Sequence, residues 1–225
     1  MNSTRIIIFA LVAFGILFVL AMPDPQVSNK IDNMQLPWQI KTYDDGSSEV
    51  FSTRLGVSSL ESLTTQFNDP EDIALYQGKE KLSLEAYFSS IKIGLLEARL
   101  VATLDASQEQ LLEMLKRAKG IAMTSSADRK VEIANEDIPR ILQLPVASLS
   151  FIPKYRKLDS AFFKERFGEP AAWQRIDENT VNYFYPDKGL SILIDAEGSE
   201  VLEYSRPDRF ILPPQVESAS SAEHK

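Results

Sequence analysis

LESLTTQFNDP at residues 60–70 and SAFFKERFGEP at residues 160–170 are similar stretches, and together they decide the predicted fold. Each stretch places apolar residues on one face of a helix and then continues with Asn or Gly, an acid and Pro. Asn and Gly tolerate the left-handed backbone conformation that ends a helix, and Pro two residues later prevents continuation. The predicted helix exits are Phe67, Asn68 and Pro70 in the first stretch and Phe167, Gly168 and Pro170 in the second.

Short runs of strand-forming residues, separated by turn residues, come after both prolines. TVNYFY, LSILID and EVLEY come after Pro170, and LSLEAYFSSI and LEARLVATL come after Pro70 in a similar order. LEARLVATL also contains good helix formers, so its pattern suits either structure. We therefore predict an α+β protein with two similar halves, each a helix on an antiparallel meander, behind an N-terminal transmembrane helix.

The N-terminal segment is apolar and begins after a single basic residue, Arg5. The 17 residues from Ile6 to Met22 carry no charge, and as a helix they would span about 25 Å of a bilayer core of about 30 Å. This pattern predicts a single-pass inner-membrane protein whose C-terminal region is periplasmic. The alternative is a cleaved secretory signal ending near Ala21, which would release the chain into the periplasm.

Composition shifts along the chain predict a division into six segments. Ser58 or Ser59 is the predicted N-cap of the first helix, Ser58 with Glu61 fits a capping box there, and Ser107 with Gln110 fits another. Asp159 is the predicted N-cap of the second helix in the repeated pattern. The predicted segments are a signal anchor at 1–23, a tether at 24–35, a first α+β half at 36–104, a connecting helix and strands at 105–147, a second half at 148–212 and a disordered tail at 213–225.

The composition removes several classes of chemistry. The chain has no cysteine, and its one histidine, His224, lies next to the C-terminus. Thiolate and histidine catalysis, disulfides and cysteine-type zinc sites are therefore not expected. A formal net charge of −8 also argues against a nucleic-acid partner. Because glycine-rich phosphate loops and metal-ligand spacings are missing too, we predict no cofactor and no metal.

The second stretch and the strand-forming runs after it resemble a known family of envelope proteins. FIPKYRKLDSAFFKERFGEP and VNYFYPDKGLSILIDAEGSEVLEY are similar to BamE-type (SmpA/OmlA) small lipoproteins and to the tandem fold of β-lactamase inhibitory protein. Residues 53–104 match more loosely. The chain lacks the lipidated cysteine of a BamE-type lipoprotein, so an apolar helix would replace the lipid anchor. The resemblance implies a non-catalytic envelope protein that docks on other proteins.

Two groups of side chains are candidates for partner contacts. Lys154 to Lys157 is the densest basic group outside the N-terminus, suited to anionic lipid or an acidic partner, although such groups are also found merely solvated. The aromatic residues, Trp38 and Phe184 among them, form the second group. Aromatic side chains are enriched at binding hot spots, although half of an alternating strand normally faces the core. The predicted contacts are Lys154, Tyr155, Arg156, Lys157, Trp173, Tyr183 and Tyr185.

Together these patterns predict a membrane-anchored periplasmic module for protein interaction or envelope assembly, without enzymatic activity. Its expected partners are the membrane, through Ile6 to Met22, and an envelope protein that the sequence does not identify. A periplasmic protein that binds a lipid or a small apolar ligand is the alternative. A third interpretation, a hydrolase that uses paired carboxylates, has no distinctive spacing to support it.

Overall fold

The computed structural model describes residues 36–78, 82–124, 129–155 and 158–218. The predicted signal anchor at 1–23 and the tether at 24–35 lie outside the described residues. Within the described ranges, no helix has both the length and the apolar character needed to cross a bilayer. The described residues from Leu36 onward belong to one compact unit.

The described residues form fourteen strands and four α-helices. The strands are β1 Lys41–Thr42, β2 Ser48–Val50, β3 Thr53–Arg54, β4 Asp72–Gln77, β5 Leu82–Ile93, β6 Leu96–Leu104, β7 Gly120–Met123, β8 Arg129–Glu132, β9 Val146–Pro153, β10 Ala172–Arg175, β11 Thr180–Tyr185, β12 Leu190–Asp195, β13 Val201–Tyr204 and β14 Glu217–Ser218. The helices are α1 Leu60–Phe67, α2 Gln108–Lys116, α3 Ile138–Ile141 and α4 Ser160–Phe167.

Eleven of these strands form a single antiparallel sheet, so the predicted α+β class with two similar halves is wrong. The strand order is β14-β10-β11-β12-β13-β9-β6-β5-β4-β8-β7, and β1, β2 and β3 form a separate small sheet. Strands β6 and β9 pair from Ala98 opposite Pro153 to Leu104 opposite Val146. β9 also pairs with β13, so β9, which precedes α4 in the chain, joins the strands that come after α1 to those that come after α4. The helices are at most nine residues long.

The large sheet has one face covered by helices, here called the packed face, and an opposite face, here called the open face. In β6, alternation puts Leu100 and Ala102 on the packed face and Val101 and Thr103 on the open face. Leu63 of α1, Met114 of α2 and Phe163 of α4 belong to the same buried apolar cluster as the packed face. One row of neighbours on the packed face consists of Ala86, Ala102, Leu149, Tyr204, Leu190 and Tyr185.

Strand-forming residues run from Glu49 to Leu55, but they do not form one strand, because the chain turns at Phe51 and Ser52 between β2 and β3. Their φ angles are +53° and +56°, a region that bulky residues rarely occupy. The Phe51 ring is fully buried and lies 5.3 Å from the Phe151 ring and 5.6 Å from the Tyr204 ring. Burial of this ring in the core therefore offsets the cost of the turn.

The helices of the two similar stretches, α1 and α4, end at Phe67 and Phe167. The next residues, Asn68 and Gly168, have φ angles of +68° and +85°, but their ψ angles are −176° and −175°. The φ is thus positive as predicted, but ψ is extended rather than left-handed helical. The reason is that the chain enters the sheet directly, and Glu71 N–H donates to the Tyr87 carbonyl.

The N-cap of α1 is Ser59, one of the two serines predicted for that position, so the capping box predicted with Ser58 as the N-cap is wrong. The Ser59 hydroxyl accepts from the Ser62 N–H at 3.3 Å. The Ser58 hydroxyl accepts instead from the Arg54 N–H, so Ser58 holds the preceding turn. At α2 both bonds of the Ser107–Gln110 capping box are present, and at α4 Asp159 caps the Phe162 N–H.

Candidate functional site

A row of directly opposed residues crosses the centre of the open face. Val101 of β6 lies opposite Ser150 of β9, and Ser150 lies opposite Glu203 of β13. Glu203 lies opposite Ser191 of β12, which in turn lies opposite Phe184 of β11. Five strands from distant parts of the chain therefore contribute one side chain each to the same line.

This row forms the floor of a groove with a volume of about 710 Å³. Glu203 is exposed near its centre, and the Ser191 hydroxyl donates to Glu203 Oε2 at 3.3 Å. Asn182 also lines the groove, and its buried Oδ1 has no hydrogen-bond partner among the residues that the structure describes. Because buried polar atoms are normally paired, this oxygen is an acceptor that a bound donor would satisfy.

The segment from Ser205 to Ser218 borders one side of this groove. Its Phe210 ring packs edge-on against the Phe184 ring, with centroids 6.5 Å apart. Phe210, Ile211 and Pro213 line the groove, and β14 then pairs with β10 at the sheet edge. The predicted disordered tail begins at residue 213, and the described part of it, up to Ser218, includes this edge strand.

The predicted basic contact group is only partly within the described residues. Lys154 Nζ pairs with Glu97 Oε1 at 2.6 Å, and this hydrogen bond lowers the pKa of Glu97. Tyr155 is exposed, and its hydroxyl donates to the Leu95 carbonyl. Arg156 and Lys157 lie outside the described residues. The positive charge of Lys154 is thus largely offset by a carboxylate of its own chain.

Trp173 and Tyr183 lie together at the sheet edge, where they line a pocket of about 470 Å³. Tyr183 belongs to the buried cluster, and Lys164 Nζ lies 5.8 Å from the centre of its ring. The guanidinium of Arg175 lies 6.0 Å from the Trp173 ring. Both rings therefore already contact cations of this chain, which reduces the aromatic surface that a partner would find.

Tyr185 faces the packed side of the sheet and has no surface for a partner. Its side chain is 1% exposed, and its hydroxyl donates to the Gly168 carbonyl at 3.0 Å. Burial raises the pKa of Tyr185. Among the three neighbouring aromatic residues of β11, Phe184 lies on the face of the groove, whereas Tyr183 and Tyr185 lie on the opposite face. A shift of one residue reverses the face in a strand.

A separate apolar cavity of about 180 Å³ lies beside α4. Trp38 and Phe162 line it with rings 6.1 Å apart, arranged edge to face. Phe151 and Leu202 contribute from the packed face of the sheet. The cavity is smaller than the roughly 300 to 1,000 Å³ of common small-molecule sites.

The central residues of the open face were not predicted as a site. Their signal is the alternation of Ser148, Ser150 and Ile152 with Leu149 and Phe151 in β9. This alternation shows that a strand has one polar face, but it does not show which other strands lie beside it. Glu203 and Ser191 join Ser150 only through strand pairing.

The described residues contain no group of three or more acidic residues that are placed to hold a metal ion. Comparisons of the chain with protein-family models, with curated proteins and with solved structures found no match. Function is therefore inferred from the chemistry of the open face and of the pockets around it.

Proposed function

We propose that this chain is a membrane-anchored periplasmic module that binds another protein on its open face and has no enzymatic role. The observation that carries the proposal is the 710 Å³ groove across five paired strands. Val101 and Ile152 of this face, and Phe184, do not belong to the apolar cluster under the helices. The open face is therefore not needed to close that core and is suited to an interface.

The groove chemistry favours an extended segment that supplies hydrogen-bond donors. Glu85 and Glu203 offer carboxylates, and Asn182 offers an unpaired oxygen. The short side chains of Ser148 and Ser150 permit close approach of a partner's backbone. Such a surface suits backbone N–H groups and basic side chains, with an apolar contact at Val101, the end of the row opposite the buried Phe184.

The anchor and the location are supported by the uncharged run from Ile6 to Met22 and by the BamE-type resemblance. Carbonate extraction of membranes tests the anchor, since a helix that spans the bilayer stays in the pellet. N-terminal sequencing of the mature protein separates the two alternatives. A mature chain that starts after Ala21 and is found in the soluble fraction would show a cleaved signal instead of an anchor.

Site-directed photocrosslinking of the full-length chain tests the open face. A photoreactive phenylalanine analogue is placed at Glu203 or at Thr103, both in the groove. The matched control is Glu165 of α4, whose side chain is 71% exposed and which lies outside the groove. We expect the two groove positions to give the same protein adduct, and Glu165 to give none.

A variant whose groove is filled by a large side chain provides a second test of the open face. Ser150→Trp should abolish the Glu203 adduct without loss of folding, because the indole would occupy the floor that the partner contacts. If adducts persist in Ser150→Trp, or if Glu165 gives the same adduct as Glu203, the open face is not the binding surface. Circular dichroism of each variant verifies folding.

The cavity beside Trp38 and Phe162 favours a small apolar ligand as a second candidate function. At about 180 Å³ it is too small for a two-chain lipid. Native mass spectrometry of the purified protein would detect a bound ligand as a discrete mass addition. Spectra that show only the bare chain, from several preparations, would remove this candidate.

A further inference from the structure

Glu200 is a buried carboxylate that is only half satisfied. Its side chain lies just before β13 and is 2% exposed. Oε1 accepts from the Leu158 N–H at 3.0 Å, whereas Oε2 has no hydrogen-bond partner within the described part of the chain. An unpaired buried carboxylate oxygen is costly, because neither water nor a protein donor replaces its lost hydration.

Glu200 lines a pocket of about 410 Å³ between the start of α4, the start of β11 and the end of β12. Leu158, Val181 and Ile194 provide apolar walls. The other charged groups of its lining are all acidic, and the described residues that line it include no lysine or arginine. These further acids are Asp159, Asp195 and Glu197.

Two of the other carboxylates already have donors from the backbone. Asp159 Oδ1 accepts from the Phe162 N–H, and Asp195 Oδ1 accepts from the Glu197 N–H, each at 2.9 Å. Oε2 of Glu200 is the only side-chain oxygen among the described residues lining the pocket that is both buried and without a hydrogen-bond partner. The remaining acids make the surrounding potential negative, which opposes an anion and favours a cation.

We propose that this pocket binds a primary ammonium group carried on an alkyl chain. The ammonium would donate to Glu200 Oε2, and the methylene groups would lie along Leu158, Val181 and Ile194, as long basic side chains do on apolar surfaces. The site is independent of the open-face groove, because the two share no lining residue. Either a free amine or a lysine side chain of a protein has this chemistry.

Calorimetric titration of the full-length chain in detergent with cadaverine and with Nα-acetyl-lysinamide tests the proposal. 1-Pentanol is the neutral control, with similar apolar length and no ammonium. We expect saturable binding of at least one amine and none of the alcohol. Binding of cadaverine alone indicates a free amine as the ligand, and binding of the lysine derivative indicates a peptide source.

Glu200→Gln keeps the size of the side chain and removes its charge. We expect it to weaken amine binding by about ten-fold or more, since a charge-assisted hydrogen bond is replaced by a neutral one. Glu109→Gln is the matched control, because Glu109 is an exposed acid in the first turn of α2 and outside the pocket. It should bind as the wild type does.

A wild-type measurement keeps the proposal testable if Glu200→Gln does not fold. The amide resonance of Leu158 reports directly on the carboxylate that it donates to, so amine addition should shift it and pentanol should not. The proposal is overturned if wild-type protein binds neither amine below about 10 mM, or if Glu200→Gln binds as tightly. It is also overturned if binding appears only after Arg156→Gln and Lys157→Gln, because the chain would then supply its own cation.

Discussion

The packed face and the open face of the sheet are built from the same strands but have opposite chemistry. In β6, β9 and β13 the packed side carries Leu100, Leu149 and Tyr204, which are at most 1% exposed. The residues next to them in the chain, Val101, Ser150 and Glu203, form the open face. One strand therefore contributes to the core with every second side chain and to the candidate interface with the rest.

This difference separates the residues that stabilise the fold from those available for function. Helices α1, α2 and α4 cover only the packed face, and their apolar residues complete one core. On the open face, short side chains and unpaired acceptors would be a poor core, because buried polar atoms require partners. Substitutions on the packed face should therefore change stability, whereas substitutions on the open face should change binding.

The largest expected effect is the loss of stability when a packed-face residue is truncated. Leu100→Ala should lower the free energy of unfolding by about 2 to 5 kcal/mol, because it leaves a cavity in a fully buried site. Val101→Ala, its neighbour on the open face, should cost less than about 1 kcal/mol. Urea unfolding of both variants measures the difference, and equal losses would contradict the division into two faces.

A smaller effect is expected where the C-terminal segment touches the open face. Phe210→Ala should cost about 1 kcal/mol, since it removes the edge-on contact with Phe184. It should also increase hydrogen exchange in β14 relative to β9. Ile211, which is 85% exposed, supplies the control, because Ile211→Ala should change neither quantity. Unchanged exchange in Phe210→Ala would show that this contact does not hold the segment.

The packed face should also resist titration at high pH. Burial raises the pKa of Tyr185 and of Tyr204 above the ordinary value of 10. The contribution of these two tyrosines to the free energy of unfolding is therefore fully present below pH 10. It is lost as the pH rises further, because both groups lose their protons at a lower pH in the unfolded chain than in the folded one. Tyrosinate absorbance of Tyr185→Phe and Tyr204→Phe should match the wild type until unfolding. If the tyrosinate absorbance of either variant is smaller than that of the wild type before unfolding begins, the tyrosine that was replaced is accessible in the folded protein.

The smallest effect concerns an exposed acid of the small sheet, which serves as a contrast to the buried tyrosines. Hydrogen bonds from Ser47 lower the pKa of Asp45 from 3.8 to about 2. Any stabilisation from this group is present above pH 3.8 and is lost as the pH falls through about 2. Ser47→Ala should raise the Asp45 pKa, as measured by carbon NMR of the carboxyl group, because it removes the hydroxyl that donates to Asp45 Oδ1.

Local features were the most predictable from the sequence. The helix ends at Phe67 and Phe167 result from Asn68, Gly168 and the prolines beyond them, which act within a few residues. The extended ψ of Asn68 was not predicted, because it depends on where the next strand enters the sheet. The open-face groove was not predicted, since the residues on its floor come together only when β6, β9 and β13 pair.

The sequence by itself determined the short-range features: where helices α1 and α4 stop, which strands alternate, and which chemistry the missing cysteines remove. Only the tertiary structure decided that β6 pairs with β9, which makes one sheet, and that Ser150, Glu203 and Ser191 meet on its open face. The physical reason is the distance along the chain over which each kind of interaction acts. Turn and capping preferences act between neighbours in the chain, whereas strand pairing joins distant residues according to which side chains bury the most apolar surface together.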